Sequence, residues 1–173
     1  MNSRLLTLCP LLLAGLLASV ICVAADGGHV HCDMRWQTTH GGAGNYSGEC
    51  LNGKPDGQGV MRYDNGGHYT GAFKNGMREG QGVHVLKKGT RYSGGWVNDV
   101  RDGEGILTWP GGGRYIGSFR NNVRDGQGTH VWANGSSYTG GWKNGKKDGY
   151  GSITHADGRK GFTGPWRNNE PVR

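Results

Sequence analysis

The chain has 173 residues, of which 34% are hydrophobic and 36 are glycine, and its formal net charge is +7. This length corresponds to one ordinary domain, and the small apolar content excludes a thick two-layer aliphatic core. Glycine costs about 1 kcal/mol per helical position relative to alanine, so its density disfavours helices throughout. The regular spacing of the glycines argues against simple disorder.

Residues 1–25 differ from the rest of the chain. Arg4 precedes an apolar run over 5–23, which ends in Val-Ala-Ala before Asp26. This layout is typical of a secretory signal peptide that is cleaved after its last alanine. An uncleaved anchor is the alternative, because about 20 apolar residues are enough to cross a bilayer. Both interpretations predict export to a secreted, periplasmic or other extracytoplasmic location, with membrane anchoring if the leader is retained.

The next segment, residues 26–45, is predicted to be an N-terminal capping strand and loop, with the strand around His29–Gln37. Loss of the leader removes Arg4 and lowers the net charge from +7 to +6. It also removes two of the four cysteines and leaves Cys32 and Cys50. An even pair of cysteines in an exported domain predicts a disulfide.

From Tyr46 onward the sequence repeats every 23 residues, and five units cover residues 46–160. Glycine fills positions 3, 12, 14 and 21 of every unit, and asparagine fills position 7. Five copies without a change of spacing indicate a repeat architecture. Residues 161–173 are interpreted as a partial repeat and a C-terminal cap. The units begin at Tyr46, Tyr69, Tyr92, Tyr115 and Tyr138.

Each unit is predicted to fold as a β-hairpin. Positions 1–6 alternate between rings and small or polar residues, which is the period of a strand. Asn-Gly, followed by Asp-Gly or Glu-Gly, supplies the turn, because these residues accept positive φ. Positions 13–18 form the second strand and positions 19–22 the next turn. The predicted fold is therefore all-β, an elongated single-layer antiparallel meander of consecutive 23-residue hairpins.

The centres of these turns predict the strand register. Position 5 lies opposite position 14, position 3 opposite 16 and position 1 opposite 18, so each position-5 ring packs on glycine. The same register places Cys32 directly opposite Cys50. Opposed strand residues have Cα atoms about 4.5–5.5 Å apart, a separation that a disulfide bridges.

The pattern Tyr-x-Gly-x-(Trp/Phe)-x-Asn-Gly…Asp-Gly-x-Gly resembles the MORN repeat (membrane occupation and recognition nexus). The resemblance covers residues 46–160, with a partial copy, FTGPW, at 162–166. It departs from the pattern at Cys50, which replaces a ring, and at Asp99 and Asn122, which replace the position-8 glycine. The resemblance implies a twisted meander with a groove. It also implies a non-enzymatic module that docks proteins, dimerises or binds acidic phospholipids.

Two sets of residues are candidates for contacts with a partner. An aromatic face would dock an unidentified protein or glycan, although the same rings also serve as the core of a sheet that lacks a second layer. Cations at positions 6 and 23 have no regular acidic partners and would meet an anionic surface, such as a phospholipid membrane. The aromatic candidates are Tyr63, Tyr69, Tyr92, Trp109, Tyr115, Trp132 and Tyr138; the cationic candidates are Lys74, Arg91, Arg114, Arg120, Lys143 and Lys160.

Other charged positions are interpreted as structural. Cations at position 10 are followed by acids at position 11, and stacked turns would form a rim of ion pairs worth at most about 1 kcal/mol each. No metal site is predicted, because a disulfide would consume the sulfur of Cys32 beside His29 and His31. The stretch GGWKNGKK at 140–147 lacks the serine or threonine and the helix of a phosphate-binding loop.

No enzyme activity and no cofactor are predicted, because no set of nucleophile, base or paired carboxylates stands apart from the repeated turns. Nucleic acid is not an expected partner of an exported chain. Open edge strands at both ends of the sheet would permit a homodimer. Asn45 and Asn134 are glycosylation acceptors if the host glycosylates exported chains. The favoured function is an exported binding or scaffold module, and the alternative is peripheral binding to anionic membranes.

Overall fold

The computed structural model describes residues 23–24, 28–40 and 42–172. In this part of the chain, fourteen strands form one antiparallel sheet in which each strand pairs with its neighbours in sequence. The strands are β1 (Val23–Ala24), β2 (Val30–Thr38), β3 (Gly42–Leu51), β4 (Lys54–Tyr63), β5 (His68–Lys74), β6 (Met77–Val85), β7 (Arg91–Val97), β8 (Val100–Thr108), β9 (Arg114–Arg120), β10 (Val123–Val131), β11 (Ser137–Lys143), β12 (Lys146–Thr154), β13 (Lys160–Arg167) and β14 (Glu170–Pro171). The predicted all-β meander is confirmed.

The described residues include no helix that is long and apolar enough to cross a membrane. Most of the predicted leader lies outside the described residues. Within it, β1 pairs with the beginning of β2. Strands β1 and β14 are the two edges of the sheet in the described part of the chain.

A two-residue turn at positions 7 and 8 closes the hairpin of each unit. In the second unit, Asn75 and Gly76 have φ angles of 49° and 85° between β5 and β6. Two consecutive residues with positive φ are typical of a type I′ turn, whose twist matches that of the flanking strands. The Asn-Gly pair therefore makes a tighter turn than the sequence analysis assumed.

The observed register is two residues away from the predicted one. Position 3 pairs with position 14, and position 1 pairs with position 16. Gly71, for example, lies opposite both Gly59 and Gly82. The prediction was wrong because the second strand of each unit begins at position 9 instead of 13. The position-12 glycine, such as Gly80 with φ 72°, lies in a β-bulge and not in the turn.

A tyrosine ring covers a pair of glycines in every unit. The five position-1 tyrosines are at most 1% exposed. Each hydroxyl donates to the backbone carbonyl at position 4, as Tyr115 does to Ser118 at 3.1 Å. A Cβ atom on Gly128 would clash with the Tyr115 ring. Packing of a ring on glycine was expected at position 5, but the structure assigns it to position 1.

The position-5 rings join neighbouring units. Trp96 lies edge-to-face between Tyr69 and Tyr92, with ring centroids 5.3 Å from each. Its indole N–H donates to the carbonyl of Gly82 at 3.3 Å, which belongs to the preceding unit. Such edge-to-face pairs contribute about 0.5–1.5 kcal/mol beyond their buried area. These rings and the tyrosines form a continuous core on one side of the sheet, which we call the ring face.

The register also changes the relation between the two cysteines. Cys32 lies opposite Gly48, and Cys50 lies opposite Val30, so the cysteines are diagonal neighbours. Both are buried, and no disulfide joins them in the structure. Diagonal Cα atoms in a ladder lie about 7–8 Å apart, beyond the usual disulfide range, so the argument from direct opposition is wrong. The bond itself stays a prediction, which a count of thiols on the denatured, unreduced protein would test.

The contact between tyrosine and glycine predicts a large effect of a single methyl group. Gly128→Ala should lower the free energy of unfolding by about 1–3 kcal/mol, because the Tyr115 ring has no room to move. Gly111→Ala is the matched control, since nothing lies within 4 Å of a Cβ atom there. Urea unfolding of the three proteins measures the difference. Equal midpoints for the two variants would contradict this account.

Candidate functional site

The six predicted cations lie on the other side of the sheet, which we call the outer face. Positions 6 and 23 alternate with the ring positions along the strands, so their side chains point away from the ring face. All six residues are exposed. Two of them have acidic neighbours, since Lys74 donates to Asp56 at 3.3 Å and Arg120 lies 4.0 Å from Asp125. The aromatic rings and these cations therefore do not form one surface.

Four other cations, at position 10, lie directly on the rings. The centre of the cationic group is 4.1 Å from the ring centroid for Arg78 over Trp96 and 4.2 Å for Arg124 over Trp142. Cation–π contacts of this kind contribute about 0.5–2 kcal/mol each. The sequence analysis assigned these cations to a solvated rim, because it counted position 10 as part of a turn. Because these cations lie over the rings at the bottom of a groove that is described below, we call them the floor cations; they are Arg78, Arg101, Arg124 and Lys147.

The tip of the β2–β3 hairpin covers the ring face of the second unit and the beginning of the third unit, as far as Asp99. The indole N–H of Trp36 donates to the carbonyl of Gly76 at 2.9 Å. The backbone N–H of Thr39 donates to the Asp99 carboxylate at 2.8 Å, across 60 residues of sequence. Thr38, at the end of β2, and Tyr63 of the first unit are both buried. We call this part of the ring face the covered half.

A buried ion pair supports the covered half. Arg78 and Asp99 are 3% and 1% exposed. The Nε and the backbone N–H of Arg78 both donate to Asp99 Oδ1 at 2.9 Å. Asp99 replaces the glycine that the repeat pattern places at position 8, and its carboxylate serves both the arginine and the hairpin tip. This departure from the pattern thus has a structural reason.

The ring face from Arg101 and Trp109 of the third unit to the end of the fifth unit lies beyond the described hydrogen bonds of the hairpin tip, and we call it the open half. His130 stacks between Trp109 and Trp132, with ring centroids 5.2 Å and 4.8 Å away. Its Nδ1 lies 3.0 Å from Nη1 of Arg124. These three rings are partly exposed. The three stacked rings form a wall beside the floor cations. The wall and the row of cations together define a groove.

The predicted aromatic face divides between core and groove. Its tyrosines, including Tyr63 at 4%, are buried in the structure. Only Trp109 and Trp132 of that set are partly exposed. Sequence reasoning missed His130 and Arg124 as groove residues. The signal that was available is the recurrence of a cation two residues before the position-12 glycine in units two to five.

No group of three or more histidine, cysteine or acidic side chains in the described residues is arranged to hold a metal ion. His84 instead packs in the covered half, where burial, assisted by Arg78, Arg101 and His68, lowers its pKa from the usual 6.5 to about 4. Desolvation disfavours the charged imidazolium. His84 therefore remains neutral in the folded protein under conditions in which the unfolded chain binds a proton.

This pKa shift predicts a loss of stability in mild acid. Above pH 6.5 the histidine is neutral in both states, and between pH 6.5 and 4 only the unfolded chain takes up the proton, so stability falls as pH falls. The urea midpoint should drop less between pH 7 and pH 5 in His84→Gln than in the wild type. His155→Gln, at an exposed position, is the control. The same drop in all three proteins would contradict this role of His84.

The MORN repeat family model matches five consecutive stretches, residues 46–68, 69–91, 92–114, 115–137 and 138–158. No curated protein matches the chain. A solved structure, the SAS-4 (dCPAP) TCP domain of Drosophila melanogaster in complex with a proline-rich motif of Ana2 (dSTIL), is 19% identical with a TM-score of 0.41. The match covers 87% of this chain and 89% of that chain, and it is too distant to carry a functional argument. The matches to the family model cover more than half of the 173 residues of this chain, and the chain therefore belongs to the MORN repeat family.

Proposed function

We propose that this protein is an exported, non-enzymatic binding module that docks a polypeptide in the open half of its groove. MORN repeats are typical of binding and scaffold modules. The observation that carries the proposal is the contrast between the two halves of one repetitive groove. In the covered half a polypeptide already lies on the rings, and in the open half equivalent groups face solvent.

The contacts of the covered half support a polypeptide as the partner. The chain's own hairpin tip supplies an indole N–H to a position-8 carbonyl and a backbone N–H to a position-8 carboxylate. In the open half the Gly145 carbonyl is the counterpart of Gly76; it accepts from Arg124 at 2.8 Å, and a carbonyl oxygen has a second lone pair. Backbone and side-chain donors of a polypeptide therefore suit the groove at both places.

The rings of the open half suit a partner with apolar side chains or prolines. Partly exposed tryptophans have an apolar body that gains free energy on burial and an N–H that still finds an acceptor. Such residues dominate the binding energy of many interfaces. Trp109 and Trp132, which both stack on His130, are preorganised for this role, because their stacking limits the rotamer freedom lost on binding.

The outer face favours a second candidate function, peripheral binding to anionic phospholipid surfaces. The six cations of positions 6 and 23 lie there, and so do exposed apolar side chains, with Val97, Ile106 and Ile116 at 42%, 41% and 43%. Cations beside apolar groups suit an anionic membrane surface. This face does not share residues with the groove, so the two candidate functions can be tested separately.

Selection of random peptides on the purified protein tests the first proposal. We expect enriched peptides to bind the wild type and to lose at least tenfold in affinity with Trp132→Ala. Tyr150→Ala is the matched control, because Tyr150 is an aromatic residue of the outer face that is 69% exposed. Failure to enrich peptides, or equal affinity for the two variants, would overturn the proposal. If the protein instead binds on a glycan array and Trp132→Ala abolishes that binding, the partner is a glycan and not a polypeptide.

Co-sedimentation with phosphatidylserine and phosphatidylcholine vesicles tests the second candidate. Binding through cations should be restricted to the anionic vesicles and should weaken at high salt, because salt screens exposed charges. Replacing Arg120 and Lys143 with glutamine should reduce it, whereas Trp132→Ala should not. Absence of binding to either vesicle would exclude this function.

A further inference from the structure

The floor cations of the two halves differ in their partners: Arg78 in the covered half has a carboxylate, whereas Arg101 and Arg124 in the open half have neutral oxygens. Arg78 is bonded to the Asp99 carboxylate at 2.9 Å. The equivalent partner of Arg101 is the amide Oδ1 of Asn122 at 3.3 Å, and Arg124 donates to the carbonyl of Gly145 at 2.8 Å. No carboxylate of the described residues lies within ion-pair distance of Arg101 or Arg124.

These cations are only partly solvated, which increases their attraction for an anion. Burial lowers the pKa of Arg101, of Arg124 and of Lys147, because a desolvated cation loses hydration. Hydrogen bonds between a guanidinium and a carboxylate are about twice as strong as neutral ones. A partner that brings carboxylates to the floor would thus supply in the open half what Asp99 supplies in the covered half.

The repeat fixes the distance between successive floor cations. Each unit contributes two strands about 4.8 Å apart, so Arg101, Arg124 and Lys147 follow one another at about 10 Å. A polyproline II chain has three residues per turn and rises about 3.1 Å per residue, so every third side chain returns to the same side at about 9.3 Å. A β-strand returns its side chains at about 6.6 Å and falls out of step with the repeats.

We infer that the partner is an acidic segment in the polyproline II conformation, which crosses the strands along the groove with a carboxylate at every third residue. This inference rests on the proposed function and names the partner class of that site. The carboxylates bind Arg101, Arg124 and Lys147 in turn. The intervening prolines pack on the wall of Trp109 and Trp132, since aromatic-lined grooves recognise polyproline II segments.

Synthetic peptides test the inference by tryptophan fluorescence titration. An N-acetylated, C-amidated peptide with five Pro-Pro-Glu repeats should bind at least tenfold more tightly than five Pro-Pro-Gln repeats. It should also bind at least tenfold more tightly than a peptide of identical composition with all its glutamates in one block. The first comparison isolates the charge, and the second isolates the spacing.

Variants of the protein locate the contact. Arg124→Gln and Lys147→Gln should each weaken binding of the Pro-Pro-Glu peptide about tenfold. Arg120→Gln, on the outer face with a side chain that is 74% exposed, should leave it unchanged. Circular dichroism and thermal unfolding of each variant verify that the sheet is retained, and Lys147→Gln provides a second test if Arg124→Gln does not fold.

The outcomes separate the inference from the function on which it rests. Equal affinity for the spaced and blocked glutamate peptides, or equal losses in Arg120→Gln and Arg124→Gln, overturns the inference. If the Pro-Pro-Glu peptide does not bind but selected random peptides still bind through Trp132, the inference is overturned. The proposed function then still holds. Failure of both kinds of peptide overturns both.

Discussion

The packing of a tyrosine ring on two opposed glycines is the contact on which this sheet depends. A single layer has no second sheet or helix to bury its side chains, so its apolar surface must be covered by its own rings. A Cβ atom would clash with the tyrosine at position 14, and with both the opposed backbone and the tyrosine hydroxyl at position 3. The buried hydroxyl is satisfied by a carbonyl three residues along the same strand. Each unit can therefore bury a large polar ring without an unpaired group.

The contacts between units follow from this arrangement. Because the tyrosines are fixed, the position-5 rings insert edge-to-face between successive tyrosines. A floor cation then lies over each of these rings, as Arg124 does over Trp142. The cation shields the ring from water and reaches a position-8 carbonyl of the next unit. Stability is thus shared between nearest neighbours, as expected of a repeat protein.

The N-terminal hairpin makes the halves of a regular groove different. Its tip donates hydrogen bonds to the second and third units, and the buried pair of Arg78 and Asp99 lies beneath it. An unpartnered arginine would be costly there, since a buried charge requires a counter-ion. In the open half the cations remain partly exposed, and Arg101 and Arg124 have neutral acceptors. As a result, one end of the groove is covered by the chain itself, and the other end is partly exposed.

The sequence by itself determined the repeat, the hairpins, the Asn-Gly turns and the single all-β sheet, because these follow from period and turn chemistry. It could not decide the register. A slip of one residue would turn every ring to the wrong face, but a slip of two leaves the faces unchanged, so alternation cannot distinguish the two registers. Only the strand pairing showed that the turn occupies positions 7 and 8, which places Arg124 opposite Phe119 on the ring face, and that a bulge then shifts the register before Gly128. The covered half was equally a matter of tertiary structure, because Thr39 and Asp99 meet across 60 residues.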